Sequence, residues 1–530
     1  MKNILEVRGL SLSFPSKRSS AVKVLDDVSF NIRDGEIIGL IGNSGSGKSM
    51  TALSVADLLP ETASVEGGQI LFDGEDITKM KPKDRRLLLG DKIGMIFQDP
   101  MTALDPLQTI GRNLDEVLQI RNIPVRERKD RIIEMLKTVG FIDPEGVYKR
   151  YPHQISGGQR QRVLIAGAAL LHPRLLIADE PTSSLDSVTT MSILKLLKSL
   201  REKLNMTILF ISHDLYVVRN FCDRVMVMKD GKIVATDNTE EMLTGTNNAF
   251  IAEMLAKSRL DPSELLLDMP SVDYSGSPIL NVKDLVAGYS SGILSRKART
   301  KTLKEISFDV YPNEIIGVIG SSGCGKTTLA KTICGLMKPT DGEIRMKEGM
   351  GLGVVFQDPG SCLNPSHNVR WHLREPLIAS GSKLSPEEQD KVIRRVLEDV
   401  GLEQKHLGRY PSQLSGGQRQ RVAIAMCLVL EPSLIIADEP FSSLDAVLAA
   451  SILKLIAKIN RERKTAIILI SHNMRIVRAM CKRVIVMSKG RIVEEGLTGE
   501  VMKNPGSDVT RELIEAEKML GGARQSSTGA

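Results

Sequence analysis

Hydrophobic positions along this chain come in short unbroken runs, each closed by polar or glycine-rich punctuation. Ile37–Ile41 is such a run, followed by a Gly-rich turn and a helical pattern, and Ile315–Ile319 repeats the arrangement. Runs of this length bounded by glycine predict buried strands. Ile132, Ile133, Leu136 and Val139 then recur at helical spacing in a charged segment that stops at Gly140. Val392, Ile393, Val396 and Val400 do the same before Gly401. Both segments predict amphipathic helices. Two further apolar runs follow in each half, LLIADE and TILFISH in the first, LIIADE and AIILISH in the second. They predict strands that end in an acidic pair and in Ser-His. Strands alternating with helices predict an α/β fold with a parallel sheet.

The pattern is one module written twice. EIIGLIGNSGSGKS at 36–49 returns as EIIGVIGSSGCGKT at 314–327, and FQDP, SGGQRQRV and IADEP each return unchanged. Lys48 and Lys326 are 278 positions apart, whereas Gln98 and Gln357, Asp179 and Asp438, and His213 and His472 are all 259 apart. The second copy is therefore 19 residues shorter between its lysine and its glutamine, where a hairpin and a charged segment are trimmed. The chain divides into a first domain at 1–257, a linker at 258–278 rich in Pro, Gly, Ser and Asp, a second domain at 279–520 and a frayed tail at 521–530.

Composition narrows the function. Of 530 residues, 42% are hydrophobic and 25% charged, the balance of a globular protein. Aromatics are only 4%, which weakens any reading built on stacked bases or sugars. A net charge of +7 permits an anionic ligand without demanding nucleic acid. The six cysteines form no C-x-x-C pair, so neither a zinc ribbon nor a thioredoxin-like motif is supported. The N-terminus is a poor signal peptide, and no window of about 18 apolar residues is present, so the chain is expected not to span a membrane.

The repeated motifs carry phosphate chemistry. Gly42, Asn43, Ser44, Gly45, Ser46, Gly47, Lys48 and Ser49 lie between an apolar strand and a helical pattern, as do Gly320, Ser321, Ser322, Gly323, Cys324, Gly325, Lys326 and Thr327. Glycines let backbone N–H groups converge on phosphate oxygens, and the following helix presents its positive end. Lys48 and Lys326 are expected to reach the β- and γ-phosphates, and Ser49 and Thr327 to coordinate Mg²⁺. Met50 stands where the second copy has Thr328, so a hydroxyl contact to the α-phosphate is available only in the second loop. Cys324 reads as a small filler or as a redox-sensitive site. Asp179 and Asp438 are candidates for Mg²⁺, and Glu180 and Glu439 for the general base, because successive strand residues point opposite ways. Gln98 and Gln357 can ligate the metal. His213 and His472, each 34 residues after its aspartate, suit a γ-phosphate contact that aligns glutamate and water.

With Ser156-Gly157-Gly158-Gln159 and Ser415-Gly416-Gly417-Gln418 between loop and acids, the chain resembles the ATP-binding-cassette (ABC) ATPases over nearly all of both halves. The resemblance implies two tandem ABC-type P-loop NTPase domains, each a RecA-like core with a β-subdomain and a helical signature subdomain. It also implies that each signature serves the ATP held by the other domain's loop, with ATP and Mg²⁺ as cofactors and intramolecular pairing of the two domains. Phe14 and Tyr289 lie where the family places an aromatic against adenine, and both also fit as core residues. QDPMTALDP and QDPGSCLNP resemble the peptide and nickel importer branch. The expected function is an ATP-hydrolysing subunit of an importer for peptides, nickel or related small solutes. It would act on the cytoplasmic face of the membrane, with two integral membrane permease subunits and an extracytoplasmic solute-binding protein, and without direct nucleic acid contact. A sugar importer subunit is the near alternative, but such tandem fusions usually carry one degenerate site and both sites here are complete. A soluble cassette protein acting on ribosomes is the distant one, since the linker is short and contains Asp and Glu.

Overall fold

The computed structural model describes residues 2–15, 21–43, 45–98, 103–183, 185–244, 248–258, 269–290, 299–357, 359–441, 444 and 446–521. The chain divides into two compact units, one chiefly of residues up to 255, the other chiefly of residues 256 to 518.

In the first unit the strands Ile37–Gly42, Leu175–Asp179 and Thr207–Ile211 are buried along their whole length. Such runs belong to a parallel sheet covered on both faces. The sheet has six strands, in the order Lys232–Asn238, Arg224–Lys229, Ile37–Gly42, Thr207–Ile211, Leu175–Asp179, Ile93–Ile96. All neighbours are parallel except the first pair. Alternate side chains face opposite layers. Ile38 and Leu40 join a core with Leu5, Leu12, Leu25 and Val28 from an antiparallel four-stranded sheet, whereas Ile37 and Ile41 join the helical side. There the helices Ile110–Ile120, Val125–Thr138, Pro144–Lys149 and Gly157–Ala169 pack together. On Val125–Thr138 the expected face is buried through Ile132 and Leu136, with Ile133 at its margin. The helix stops where Gly140 turns left-handed at φ 90°, its N–H bonding Lys137 O.

The second unit repeats this order, with the six-stranded sheet Leu352–Val355, Leu434–Asp438, Ala466–Ile470, Ile315–Gly320, Arg483–Ser488, Arg491–Leu497. Among the described residues its antiparallel sheet has three strands where the first unit has four. Among them too, strand Glu75–Asp76, the turn Ile77–Lys79 and helix Pro82–Lys92 of the first unit have no counterpart, which locates the trimmed segment.

Residues 259–268 of the expected linker and 522–530 of the expected tail lie outside the described residues. The remainder of the linker packs on the second unit. Lys482 Nζ donates to Pro270 O at 3.0 Å, and Tyr274 meets Tyr311 edge-on at 5.3 Å. The Arg483 guanidinium lies 5.7 Å from both rings. Among the described residues no helix is long and apolar enough to cross a membrane.

Candidate nucleotide sites

The two Gly-rich loops leave the carboxyl ends of the central strands, where an open α/β sheet places its ligand. Helix Lys48–Val55 begins at Gly47 (φ 103°) and helix Lys326–Ile333 at Gly325 (φ 113°). Glycine is required twice in each loop. A Cβ on Gly42 would sit 2.2 Å from Met228 O, one on Gly320 2.2 Å from Met487 O, and ones on Gly47 and Gly325 within 2.9 Å of Leu25 and Leu303. Each helix therefore starts at its loop, with its positive end toward it. Lys48 Nζ donates to Gly42 O and Asn43 O, both at 2.9 Å, and Lys326 Nζ to Gly320 O at 2.7 Å and Ser321 O at 3.2 Å. Each ammonium thus waits inside its loop. Ser44 lies outside the described residues.

Cys324 is buried in the core of the second unit, with burial pushing its thiol above the ordinary value. A thiol is a poor nucleophile under those conditions, which favours the filler reading over the redox-sensitive one. Ser46 takes the same place in the first loop. Cys324→Ser is accordingly expected to change nucleotide binding by less than about twofold in a nucleotide titration, because it alters neither volume nor backbone much.

Asp179 and Asp438 end their strands and are buried. Burial pushes both carboxyls up, against hydrogen bonds from Ser49 and Thr327. One oxygen of each, Oδ1, is buried with no partner among the described residues. A carboxylate with a spare buried oxygen beside a hydroxyl at a phosphate-binding helix start is a donor set that suits Mg²⁺, which takes few protein ligands and completes its shell with phosphate and water. Among the described residues no cluster of three His, Cys, Asp or Glu forms a cage of its own.

The glutamates are not set apart from the aspartates by strand alternation, as the sequence suggested. The strands stop at the aspartates, and Glu180 (φ 47°) and Glu439 (φ 50°) are left-handed, their N–H groups bonding Ile211 O and Ile470 O at 3.0 Å. Pro181 and Pro440 follow directly and shut these residues out of the right-handed helical region. The turn aims each carboxylate at the neighbouring strand end. Glu180 Oε1 meets His213 Nδ1 at 3.1 Å, and Glu439 Oε1 meets His472 Nδ1 at 2.8 Å. Gln98, expected as a metal ligand, donates its amide to Glu180 Oε2 at 3.1 Å. Glu439 Oε2 is buried without a partner among the described residues, and Gln357 is exposed. The two sites are therefore held differently, which no sequence signal announced because both glutamines are present.

Burial opposes charging of His213 and His472, but the adjacent glutamates outweigh it and hold both imidazoles above their ordinary value. For Glu180 burial also works against the charge, and His213 prevails, lowering it. A raised histidine contributes stability that is full below its unfolded value and is lost as pH rises through the folded value. A lowered glutamate contributes stability that is lost as pH falls through its folded value. Thermal unfolding followed against pH should therefore show a stabilised window between the lowered Glu180 and the raised His213. The His213→Gln variant should flatten that window at both ends, because the imidazole whose charge is lost at the alkaline end is also what lowers Glu180 at the acid end.

The signature segments are placed as helix caps. Ser156 Oγ accepts from Gln159 N at 3.3 Å while Ser156 N donates to Gln159 Oε1 at 3.0 Å, and Ser415 and Gln418 repeat both distances. These are reciprocal capping boxes that leave the glycine N–H groups at the helix start. In the segments Ser-Ser-Leu-Asp at 183–186 and 442–445, which follow the acidic pairs, Ser184, Ser442, Ser443 and Asp445 lie outside the described residues. Of the candidate adenine partners, Phe14 is half-buried against the core of the first unit, and Tyr289 is 50% exposed at its strand end.

The family described as ABC transporter matches residues 25–183 and 303–442. The peptidoglycan transport ATP-binding protein YejF of Agrobacterium fabrum is 40% identical over 97% of this chain and 96% of its own length. An uncharacterized ABC transporter ATP-binding protein, YejF, of Escherichia coli is 38% identical over 97% of this chain and 99% of its own. The glutathione import ATP-binding protein GsiA of Pectobacterium atrosepticum is 35% identical over 97% and 89%.

Proposed function

The chain belongs to the ABC transporter family, and on that premise we propose that it is the ATP-hydrolysing subunit that energises an importer of peptides or related small solutes. The observation that carries the reading is the duplication of a whole hydrolytic set: loop lysine, hydroxyl beside a buried aspartate, and glutamate bonded to histidine, in both units. Relatives named for peptidoglycan transport and glutathione import support the solute class.

In each cassette the loop N–H groups and Lys48 or Lys326 bind the β- and γ-phosphates. Ser49 with Asp179, and Thr327 with Asp438, would hold Mg²⁺, which neutralises phosphate charge as the bond breaks. Glu180 and Glu439 take the proton of the attacking water. His213 and His472 fix the carboxylate through Nδ1 and leave Nε2 for the γ-phosphate. Gln98 steadies the other oxygen of Glu180. The signature residues Ser156–Gln159 and Ser415–Gln418 serve, as in the family, the nucleotide bound by the other cassette's loop. Phe14 and Tyr289 are the adenine contacts we propose, Tyr289 having the free ring for it.

The subunit would sit peripherally on the cytoplasmic face of the membrane, bound to two permease subunits supplied with solute by an extracytoplasmic binding protein. Affinity capture from gently solubilised membranes tests this. Recovery of two multi-span membrane proteins and a binding protein is the expected result. Ribosomal proteins without membrane subunits would overturn it.

A further inference from the structure

The two units differ at the amino ends of their central strands, the end opposite the phosphate loops. In the first unit Arg174 occupies that place. Its guanidinium bonds Asp34 at 2.9 Å and also Asp73, which in turn meets Lys2 at 2.6 Å. Matching backbone bonds identify what replaces these groups in the second unit. Arg174 N donates to Lys92 O and Ser433 N to Gly351 O, both at 2.9 Å, so Ser433 takes the arginine's place. Asp73 N donates to Ile4 O and Lys347 N to Ile279 O, so a lysine takes that of Asp73. Pro312 takes that of Asp34, inside the matching turns closed by Glu36 N on Arg33 O and Glu314 N on Tyr311 O. No arginine bridge can form, and a cavity of about 440 Å³ opens there, with Pro312, Ser433, Lys464 and Thr465 in its wall.

That wall is fixed from within. Asn460 is fully buried and donates to Asn313 O at 3.0 Å and to Thr465 O at 2.9 Å, while Thr465 Oγ1 donates to Pro432 O at 3.2 Å. The cavity is therefore preformed, and its size suits a small organic ligand. Its lining carries both signs of charge beside the apolar side chains of Ile279, Met350 and Pro432. Arg463 is engaged by Asp399. Lys464 has no ion pair among the described residues. Glu431 meets Arg395 at 3.8 Å and Glu462 meets Lys458 at 3.9 Å, both in solvated pairs of the kind that contribute little and exchange readily.

We propose that this cavity binds a short peptide with free termini. Lys464 meets the carboxylate, Glu431 and Glu462 meet the ammonium, and Ile279, Met350 and Pro432 carry the apolar body. A simple anion would leave the two acids facing it, and an apolar molecule would cover Lys464 without giving it a partner. That the transporter itself delivers such a peptide to this side of the membrane rests on the proposed function; binding by the chain does not.

Calorimetric titration of the full chain with alanyl-leucyl-alanine tests the site. Binding at a Kd of about 1 mM or tighter is expected. The N-acetylated, C-amidated form of the same peptide should bind about tenfold more weakly or worse, the size of a lost charge-assisted hydrogen bond. Ser433→Arg returns the first unit's side chain to the cavity, and Lys464→Asn copies Asn205, which is left-handed like Lys464 (φ 50° and 54°), so the backbone is not newly strained. Each variant should weaken the free peptide by a similar factor and leave unfolding temperature and basal ATP turnover unchanged. Absence of binding at about tenfold higher peptide concentration overturns the proposal. So does equal binding of the free and blocked peptides, or unaltered binding by Lys464→Asn. If the peptide binds as expected while capture from membranes recovers ribosomal proteins, the cavity stands and the importer reading is what fails.

Discussion

Replacing Glu180 and Glu439 together by Gln is expected to slow ATP turnover by about 10²- to 10⁴-fold, the range for loss of a positioned general base, while ATP still binds. The amide keeps the size and the hydrogen-bonding reach of the carboxylate, so the contacts of Glu180 with His213 and Gln98 and that of Glu439 with His472 have isosteric replacements. What disappears is the capacity to take a proton from water. The loop lysines and hydroxyls that bind phosphate are untouched. Steady-state turnover and equilibrium nucleotide titration, run on the single and double variants, separate the two effects. Because Glu180 is held at both oxygens and Glu439 at one, the single variants should not be equal. Near-normal turnover in the double variant would remove the glutamates from the chemistry.

Lys48→Ala and Lys326→Ala are each expected to weaken nucleotide binding at their own site by about 10²-fold or more. Each ammonium is held inside its loop by two backbone carbonyls, at 2.9 Å for Lys48 and at 2.7 and 3.2 Å for Lys326. A triphosphate entering the loop meets a cation already in place, with little side-chain entropy left to lose. Charge-assisted hydrogen bonds contribute about 1.5–3 kcal/mol each, and two of them correspond to about 10²- to 10⁴-fold in affinity. The carbonyls also lose their donor, so thermal unfolding without nucleotide should be followed alongside titration. A large loss of affinity with a small change in unfolding temperature identifies a ligand contact. The reverse pattern would make the lysine a loop brace.

Both predictions stand on residues that were legible in the chain, for a physical reason. A phosphate site of this kind is local. Gly42, Gly47, Lys48 and Ser49 follow one strand and open one helix, so spacing along the chain is spacing in space. Buried parallel strands also announce themselves locally, as apolar runs such as Leu175–Asp179 and Leu434–Asp438. The left-handed turn at Glu180 and Glu439 was harder to see. Strand alternation suggested that neighbouring acids diverge, and they do, but by a backbone turn ahead of Pro181 and Pro440 rather than by the pleat. The linker was readable as a composition shift, whereas the seating of Pro270 and Tyr274 on Lys482, Tyr311 and Arg483 joins residues more than 200 positions apart in two of its contacts.

The amino-acid sequence by itself determined the duplication, the order of strands and helices, the phosphate loops, and the identity of the acids and histidines, because these depend on local spacing and on hydrophobic period. Only the tertiary structure decided how the side chains pair: Gln98 on Glu180 while Glu439 keeps a bare buried oxygen, and the spare oxygens of Asp179 and Asp438. Those pairings join strand ends and turns brought together by the sheet order and the packing of the helices. Identical residues at identical spacing can therefore be held in different ways in the two copies.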